Sequence, residues 1–242
     1  MKQGKLIQTR NVAAADACVA ELKARPKLEM VGLGLIYGAP GLGKTTYAQR
    51  SAYRHQYIYI RLGATTTAKT FAQSLLRAVH IHVGMGDVPT AGTTHGLFRR
   101  ATELINAHPE VETVIMVDEI DYAFRRPDLL GAIRDVVDET LAIIILVGME
   151  NAKERLLQIN RYYFDRCSQF YQFTPASVAD LGAIARAVMD VEPADDVIRY
   201  IHRLTDGNLR QAVNVMDAIE KDALSRRLTS VSMADLEDRP TC

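Results

Sequence analysis

The chain has 242 residues, 48% hydrophobic and 24% charged, with 29 Lys+Arg offset by 29 Asp+Glu. These values fit one large α/β domain, or one such domain with a small companion, and exclude a disordered chain or a generic polycation. Aromatic residues make up 7% and Trp is absent, against stacking platforms for nucleic acid, and Cys18, Cys167 and Cys242 lie too far apart for a zinc ribbon or disulfide scaffold and suit a reducing cytosol. The zero net charge hides an asymmetry: residues 1–100 hold 14 basic and 4 acidic side chains, and residues 101–242 hold 15 and 25. The first part could face a polyanion, or the difference could be neutralised within the fold or between subunits.

In chain order, Met1 to Arg10 lacks the apolar core of a signal peptide. Helical spacing covers Asn11–Lys23, with Pro26 as a stop. Leu33–Tyr37 reads as a strand, Thr45–Arg54 as a helix, and Tyr57–Leu62 as an alternating strand. Lys69–Val79 carries Phe71, Leu75, Leu76 and Val79 on one helical face, a glycine-rich loop follows over His82–Thr93, and Thr94–Ala107 is a helix stopped by Pro109. A strand at Val114–Val117, a helix from Pro127 to about Glu139, a strand at Leu141–Val147, a short helix at Ala152–Gln158 and a short strand at Tyr171–Phe173 complete this part. The longest apolar run, Leu141–Gly148, is too short to cross a bilayer, so no membrane association is expected. After Pro175 the pattern is helix only, at about 178–189, 194–204, 208–226 and 232–237, and Ser177-x-x-Asp180 reads as a capping box with Asp in place of Glu. Strands alternating with helices predict a parallel sheet covered on both faces over residues 1–175, and the helical tail predicts a small second domain over 176–242.

The strongest chemical signal is Gly38-Ala39-Pro40-Gly41-Leu42-Gly43-Lys44-Thr45, which matches G-x-x-x-x-G-K-[ST] between a predicted strand and a predicted helix. Glycines let the backbone curl with its N–H groups toward phosphate, and the helix adds its positive N-terminal end. Lys44 is placed for the β- and γ-phosphates of ATP and the Thr45 hydroxyl for Mg²⁺, with Thr46 as a neighbour. The second signal is Val114-Ile115-Met116-Val117-Asp118-Glu119, an interior strand delivering two carboxylates to its C-terminal edge. Asp118 suits Mg²⁺ through water, and Glu119 suits a general base on the attacking water. No Asn-Lys-x-Asp for guanine is present.

With these motifs followed by a helical tail, the chain resembles the AAA+ ATPases. That resemblance implies a three-layer α/β P-loop sandwich with a helical lid. It places a sensor-1 residue after the strand ending at Val147, where Asn151 or Glu150 could serve or simply cap the next helix. It also places a sensor-2 arginine, Arg210 of Gly207-Asn208-Leu209-Arg210, at the γ-phosphate. An arginine finger acting across a subunit interface is expected at Arg166 or Arg161, with Arg166 favoured; the alternative is an intrachain salt bridge with Asp165 or Glu154. The segments IYGAPGLGKTT, VDEID, ILVGME and GNLRQA look like the target-selecting transposition ATPases, the phage Mu B and Tn7-like type. Origin-recognition and helicase-loader ATPases share most of these motifs, and a scaffold ATPase that binds no nucleic acid and has oligomerisation as its output is a third reading. The transposition resemblance implies ATP-dependent, sequence-independent binding of double-stranded DNA, self-assembly into a ring or filament, recruitment of a transposase, and a place at the nucleoid of a bacterial cytoplasm. It puts Thr66, Thr67, Lys69, Arg77, Arg99 and Arg100 at the DNA, where Lys, Arg and Thr would meet phosphates. His80 and His82, spaced i, i+2, make no metal site.

Overall fold

A computed structural model describes residues 6–159 and 161–237. These form two compact units. One comprises Ala15–Gly38 and Lys44–Gln172; the other comprises 6–14, Ala39–Gly43 and 173–237.

The larger unit is built on helix α1 (Arg10–Ala24, shared between the units), strand β1 (Gly32–Gly38), α2 (Lys44–His55), β2 (Ile58–Arg61), α3 (Ala68–His82), α4 (Thr94–Ala107), β3 (Val114–Asp118), a 3-10 turn (Ile120–Arg125), α5 (Pro127–Glu139), β4 (Ile143–Val147), α6 (Ala152–Ile159), α7 (Arg161–Arg166) and β5 (Cys167–Phe173). The strand order is β2-β3-β4-β1-β5, and β1, β2, β3 and β4 pair in parallel. Every residue of β1, β3 and β4 is buried, as a strand covered on both faces requires. Leu33, Leu35, Ile58, Ile60, Ile115, Val117, Ile144 and Leu146 share one core with Phe71, Leu75, Leu97 and Ile133 from α3, α4 and α5. The alternate positions point to the other face, where α2 packs on β1, β3 and β4 and α1 lies against Gly34. Gly34 is glycine for a packing reason: a Cβ there would lie 2.9 Å from the Leu22 side chain of α1.

The helices starting at Thr94 and Pro127 have the limits the caps foretell. Elsewhere the structure corrects the sequence reading. The strand expected from Leu141 begins at Ile143, because Leu141 is exposed and its carbonyl accepts from the Arg25 guanidinium. The strand expected at Tyr171–Phe173 extends back to Cys167, and residues 161–166 before it form a short helix. The 3-10 turn after Glu119 was likewise not foreseen.

The smaller unit contains α8 (Val178–Val188), β6 (Glu192–Pro193), α9 (Asp195–Thr205), α10 (Leu209–Ser225), β7 (Ser230–Val231) and α11 (Met233–Glu237). It has its own core, including Leu181, Val191, Val197, Ile201, Met216 and Ile219. It is not helix only: β6 and β7 pair in parallel over two residues each, too short for a period-2 signal. The capping box at α8 is present, with Ser177 Oγ accepting from Asp180 N–H and Asp180 Oδ2 accepting from Ser177 N–H. Asp180 also receives Arg10 N–H and Nε, each at 2.9 Å. Burial alone would raise this carboxyl, but the donors from Arg10 and Ser177 hold it down to about 2 from an ordinary 3.8. A depressed acid stabilises the fold fully above its unfolded pKa and ceases to do so as pH falls through the folded one. Asp180→Asn should therefore destabilise the protein by about 1–2 kcal/mol at neutral pH, with the gap from the parent closing between about pH 4 and pH 2. Denaturation midpoints of the two proteins across that range check this.

Candidate nucleotide site

Parallel pairing sets the level of the catalytic candidates. Ile36 and Asp118 both pair with Val147, and Arg61 pairs with Asp118, so the C-terminal ends of β1, β2, β3 and β4 emerge together at one sheet edge. At the end of β1, Lys44 is buried and its Nζ donates to the Gly38 carbonyl at 2.7 Å. Thr45 is half-buried and Thr46 exposed in the first turn of α2.

Asp118 is 2% exposed, and both its oxygens are engaged. Oδ1 accepts the Glu119 N–H at 2.9 Å, and Oδ2 accepts the Tyr59 hydroxyl at 2.8 Å. Tyr59 in turn accepts from Gln49 Nε2 at 3.3 Å, joining α2, β2 and β3 by side chains. Burial, the bond to Asp118 and its negative charge push the Tyr59 phenol up to about 12, so it stays a donor. Glu119 adopts left-handed backbone angles (φ 60°, ψ 43°), unusual for a residue with a side chain and costing roughly 1 kcal/mol or more. Its Oε1 lies 3.3 Å from the Arg61 guanidinium. Beyond β4, Asp121 Oδ2 accepts the Met149 N–H at 2.7 Å, while Glu150 and Asn151 are exposed. Tyr59, Arg61 and Asp121 were missed from sequence. The alternation of Ile58-Tyr59-Ile60-Arg61 is the signal that could have found the first two, since it puts both on the sheet face opposite Ile58 and Ile60.

In the smaller unit, Gly41 and Gly43 take φ values of 83° and 93°, which favour glycine. Asn208 caps α10, and Arg210 lies in its first turn with an exposed side chain.

The finger candidates differ. Arg166 Nε is 2.7 Å from Asp138 Oδ1 and its side chain is 20% exposed, so the ion pair seen among the described residues is with Asp138, where Asp165 or Glu154 was expected. Arg161 is 86% exposed and 4.0 Å from Asp165.

Of the DNA candidates, Thr66 Oγ1 accepts the Gly63 N–H, and Thr67 caps α3 reciprocally with Thr70. Lys69 is exposed. Lys69, Gln73 and Arg77 recur every fourth residue on α3 and share a face. Gln73 reaches the Thr90 carbonyl and Arg77 pairs with Asp87, so this face borders the loop between α3 and α4. Arg100 joins it through the Pro89 carbonyl, while Arg99 pairs along its own helix with Glu103. His80 Nδ1 lies 2.9 Å from the Gly86 carbonyl, and no cluster of three or more His, Cys, Asp or Glu suited to a metal exists among the described residues. None of their helices is long and apolar enough to cross a membrane.

Lys44 and the glycine-bearing loop suit phosphate, and one buried carboxylate with a threonine hydroxyl is the sparse oxygen set that Mg²⁺ uses. Tyr59→Phe keeps the ring and removes the donor to Asp118. If Asp118 holds a divalent ion as the sequence motif implies, the substitution should weaken metal binding roughly 10-fold, the usual cost of losing an outer-shell hydrogen bond, measured by Mn²⁺ paramagnetic resonance with ADP present. Unchanged metal affinity would show that the phenol does not orient Asp118.

Residues 29–156, more than half the chain, match the family model described as AAA domain. No curated protein matches in sequence. Solved structures do match in fold. Aeropyrum pernix ORC1 in complex with DNA has a TM-score of 0.65 at 21% identity, over 96% of this chain and 64% of that one. Aeropyrum pernix ORC2, in ADPNP and ADP complexes, has 0.70 at 14%, over 100% and 71%. The Thermotoga maritima RuvB Holliday junction branch migration motor has 0.60 at 19%, over 96% and 68%. This chain thus spans less than two thirds of the ORC1 protein, and at these identities the likeness is one of fold.

Proposed function

This chain belongs to the AAA domain family of P-loop ATPases, and from that premise we propose that it is an ATP-dependent, sequence-independent DNA-binding ATPase that assembles on duplex DNA and recruits a transposase. The observation that carries the DNA reading is the joining of the two chemistries along the chain. β2 ends at Arg61, which holds Glu119, and the next turn, with Thr66 and Thr67, opens the helix whose Lys69–Gln73–Arg77 face borders the Asp87–Thr90 loop. The exposed pairs of Arg77 with Asp87 and Arg99 with Glu103 are weak in water and can be exchanged for phosphates.

The division of labour is as follows. Loop N–H groups of Gly38–Thr45 and the Lys44 ammonium hold the triphosphate. Thr45 and Asp118 hold Mg²⁺, whose role is to neutralise charge on the phosphates. Glu119 takes the proton of the attacking water once its carboxylate is free of Arg61. Arg210 senses the γ-phosphate from the lid, residues 176–242. A neighbouring subunit supplies an arginine, and the exposure of Arg161 supports it as strongly as the family pattern supports Arg166. The transposase partner rests on the resemblance of the IYGAPGLGKTT, VDEID, ILVGME and GNLRQA segments. A second reading, a replication initiator, is favoured by the fold likeness to the ORC1 and ORC2 proteins.

Filter retention of random duplex with a non-hydrolysable ATP analogue tests the DNA reading. Retention is expected, strongest at low salt and indifferent to sequence. Preference for one sequence would favour the initiator, and no retention would remove both readings. Glu119→Gln should lower hydrolysis at least about 100-fold with nucleotide still bound, and Arg61→Ala should raise hydrolysis in the absence of DNA. In mixtures with Lys44→Ala subunits, whichever of Arg161→Ala and Arg166→Ala has lost its trans-acting group should regain turnover. Restoration in neither mixture would leave both arginines in intrachain pairs.

A further inference from the structure

In a phosphate loop the peptide N–H groups must face inward, so the carbonyls must face outward and find partners there. The lid supplies two. Asn208 Nδ2 donates to the Pro40 carbonyl at 3.1 Å, and the Arg210 backbone N–H donates to the Gly41 carbonyl at 3.0 Å. Each peptide is planar and trans, so fixing the Pro40 carbonyl turns the Gly41 N–H away from Asn208, and fixing the Gly41 carbonyl does the same for the Leu42 N–H. The approach is tight. A Cβ on Gly41 would collide with Asn208 Oδ1, and one on Gly43 would lie 3.1 Å from the Leu209 side chain. The same Asn208 accepts the Gln211 N–H through Oδ1, so one side chain both starts α10 and grips the loop.

We propose that Asn208, with the Arg210 backbone N–H, is a positioning element that presets the phosphate-loop peptides for binding, so that the lid contributes to nucleotide affinity through the loop backbone and not only through the Arg210 side chain. It rests on the loop being the phosphate site. One of the outward carbonyls is held by an N–H from the first turn of α10, a donor that a helix start leaves without an intrahelical partner. The segment bearing Arg210 is thereby tied to the loop, and a change in the orientation of these peptides is transmitted to the base of that side chain.

The two jobs of Asn208 separate by substitution. Asn208→Ser keeps a capping oxygen but cannot reach Pro40 with a donor. Asn208→Asp keeps the cap and loses the donor. Asn208→Ala loses both. Full-length proteins are compared by binding of a fluorescent ADP analogue, by thermal midpoint, and by hydrogen exchange of the Gly41 and Leu42 amides without nucleotide. Asn208→Ser is expected to bind ADP about 5–10-fold more weakly, as for loss of one hydrogen bond, with a midpoint near the parent's and faster exchange at both amides. Asn208→Asp should lose at least as much affinity, which keeps the test decisive if the serine variant folds poorly. Parent-like affinity in Asn208→Ser, with weakening confined to Asn208→Ala, would assign the effect to capping alone and overturn the proposal. Lys44→Ala guards the premise: if it also binds ADP like the parent, the phosphate-site reading fails instead.

Discussion

The constraint on which the α/β unit depends is the burial of three parallel strands on both faces. β1, β3 and β4 expose nothing, so each must be apolar nearly throughout, and polar groups can enter only at the ends. Parallel pairing then brings the C-terminal ends out on one edge. Gly38 leaves β1 there, Asp118 ends β3 there, and Arg61 ends β2 at the level of Asp118. The chemistry is placed by the same burial that stabilises the sheet.

Because that edge borders a dry interior, the charges on it are satisfied by specific partners. Asp118 is nearly sealed from water and would be costly there without donors. The Tyr59 hydroxyl and the Glu119 N–H supply them, one from a side chain on β2 and one from the turn that the left-handed Glu119 begins. Glu119 is less buried, and its Arg61 partner is 60% exposed, which makes that pair the weaker of the two and the easier to exchange. Asp118 is thus fixed by its donors, and Glu119 beside it is held by the pair more easily released.

Much of this was legible in the sequence, for reasons that differ by element. The phosphate loop and the Asp118–Glu119 pair are contiguous motifs, and α4 and α5 are marked by Pro109 beyond the end of the one and Pro127 at the start of the other. What escaped lies in short or non-local structure. A two-residue strand such as Glu192–Pro193 has no periodicity to read, and it exists only because Ser230–Val231 comes to lie beside it. Tyr59 and Arg61 read as half of an alternating strand, and only the register with Met116 and Asp118 gives them partners. Asn208 caps α10, and nothing local reveals its reach to Pro40 across 168 residues of chain. Arg166 was open to pairing with sequence neighbours, whereas its partner, Asp138, is 28 residues away.

The charge asymmetry of the chain is partly spent inside the fold. Arg10 binds Asp180 and Lys23 binds Glu112, each a basic residue from the first hundred neutralised by an acid from the remainder. Arg77 and Arg99 pair with Asp87 and Glu103, and in both pairs each side chain is more than half exposed. Such surface pairs contribute about 0–1 kcal/mol, while a duplex presents a dense line of phosphates whose neutralisation releases counterions. The Arg10–Asp180 bond, with a carboxylate 8% exposed and several donors, is of a different kind and has no reason to open. The exposure of its pairs therefore divides the basic residues into those committed to the fold and those whose pairs open at little cost, and Arg77 on α3 falls in the second group.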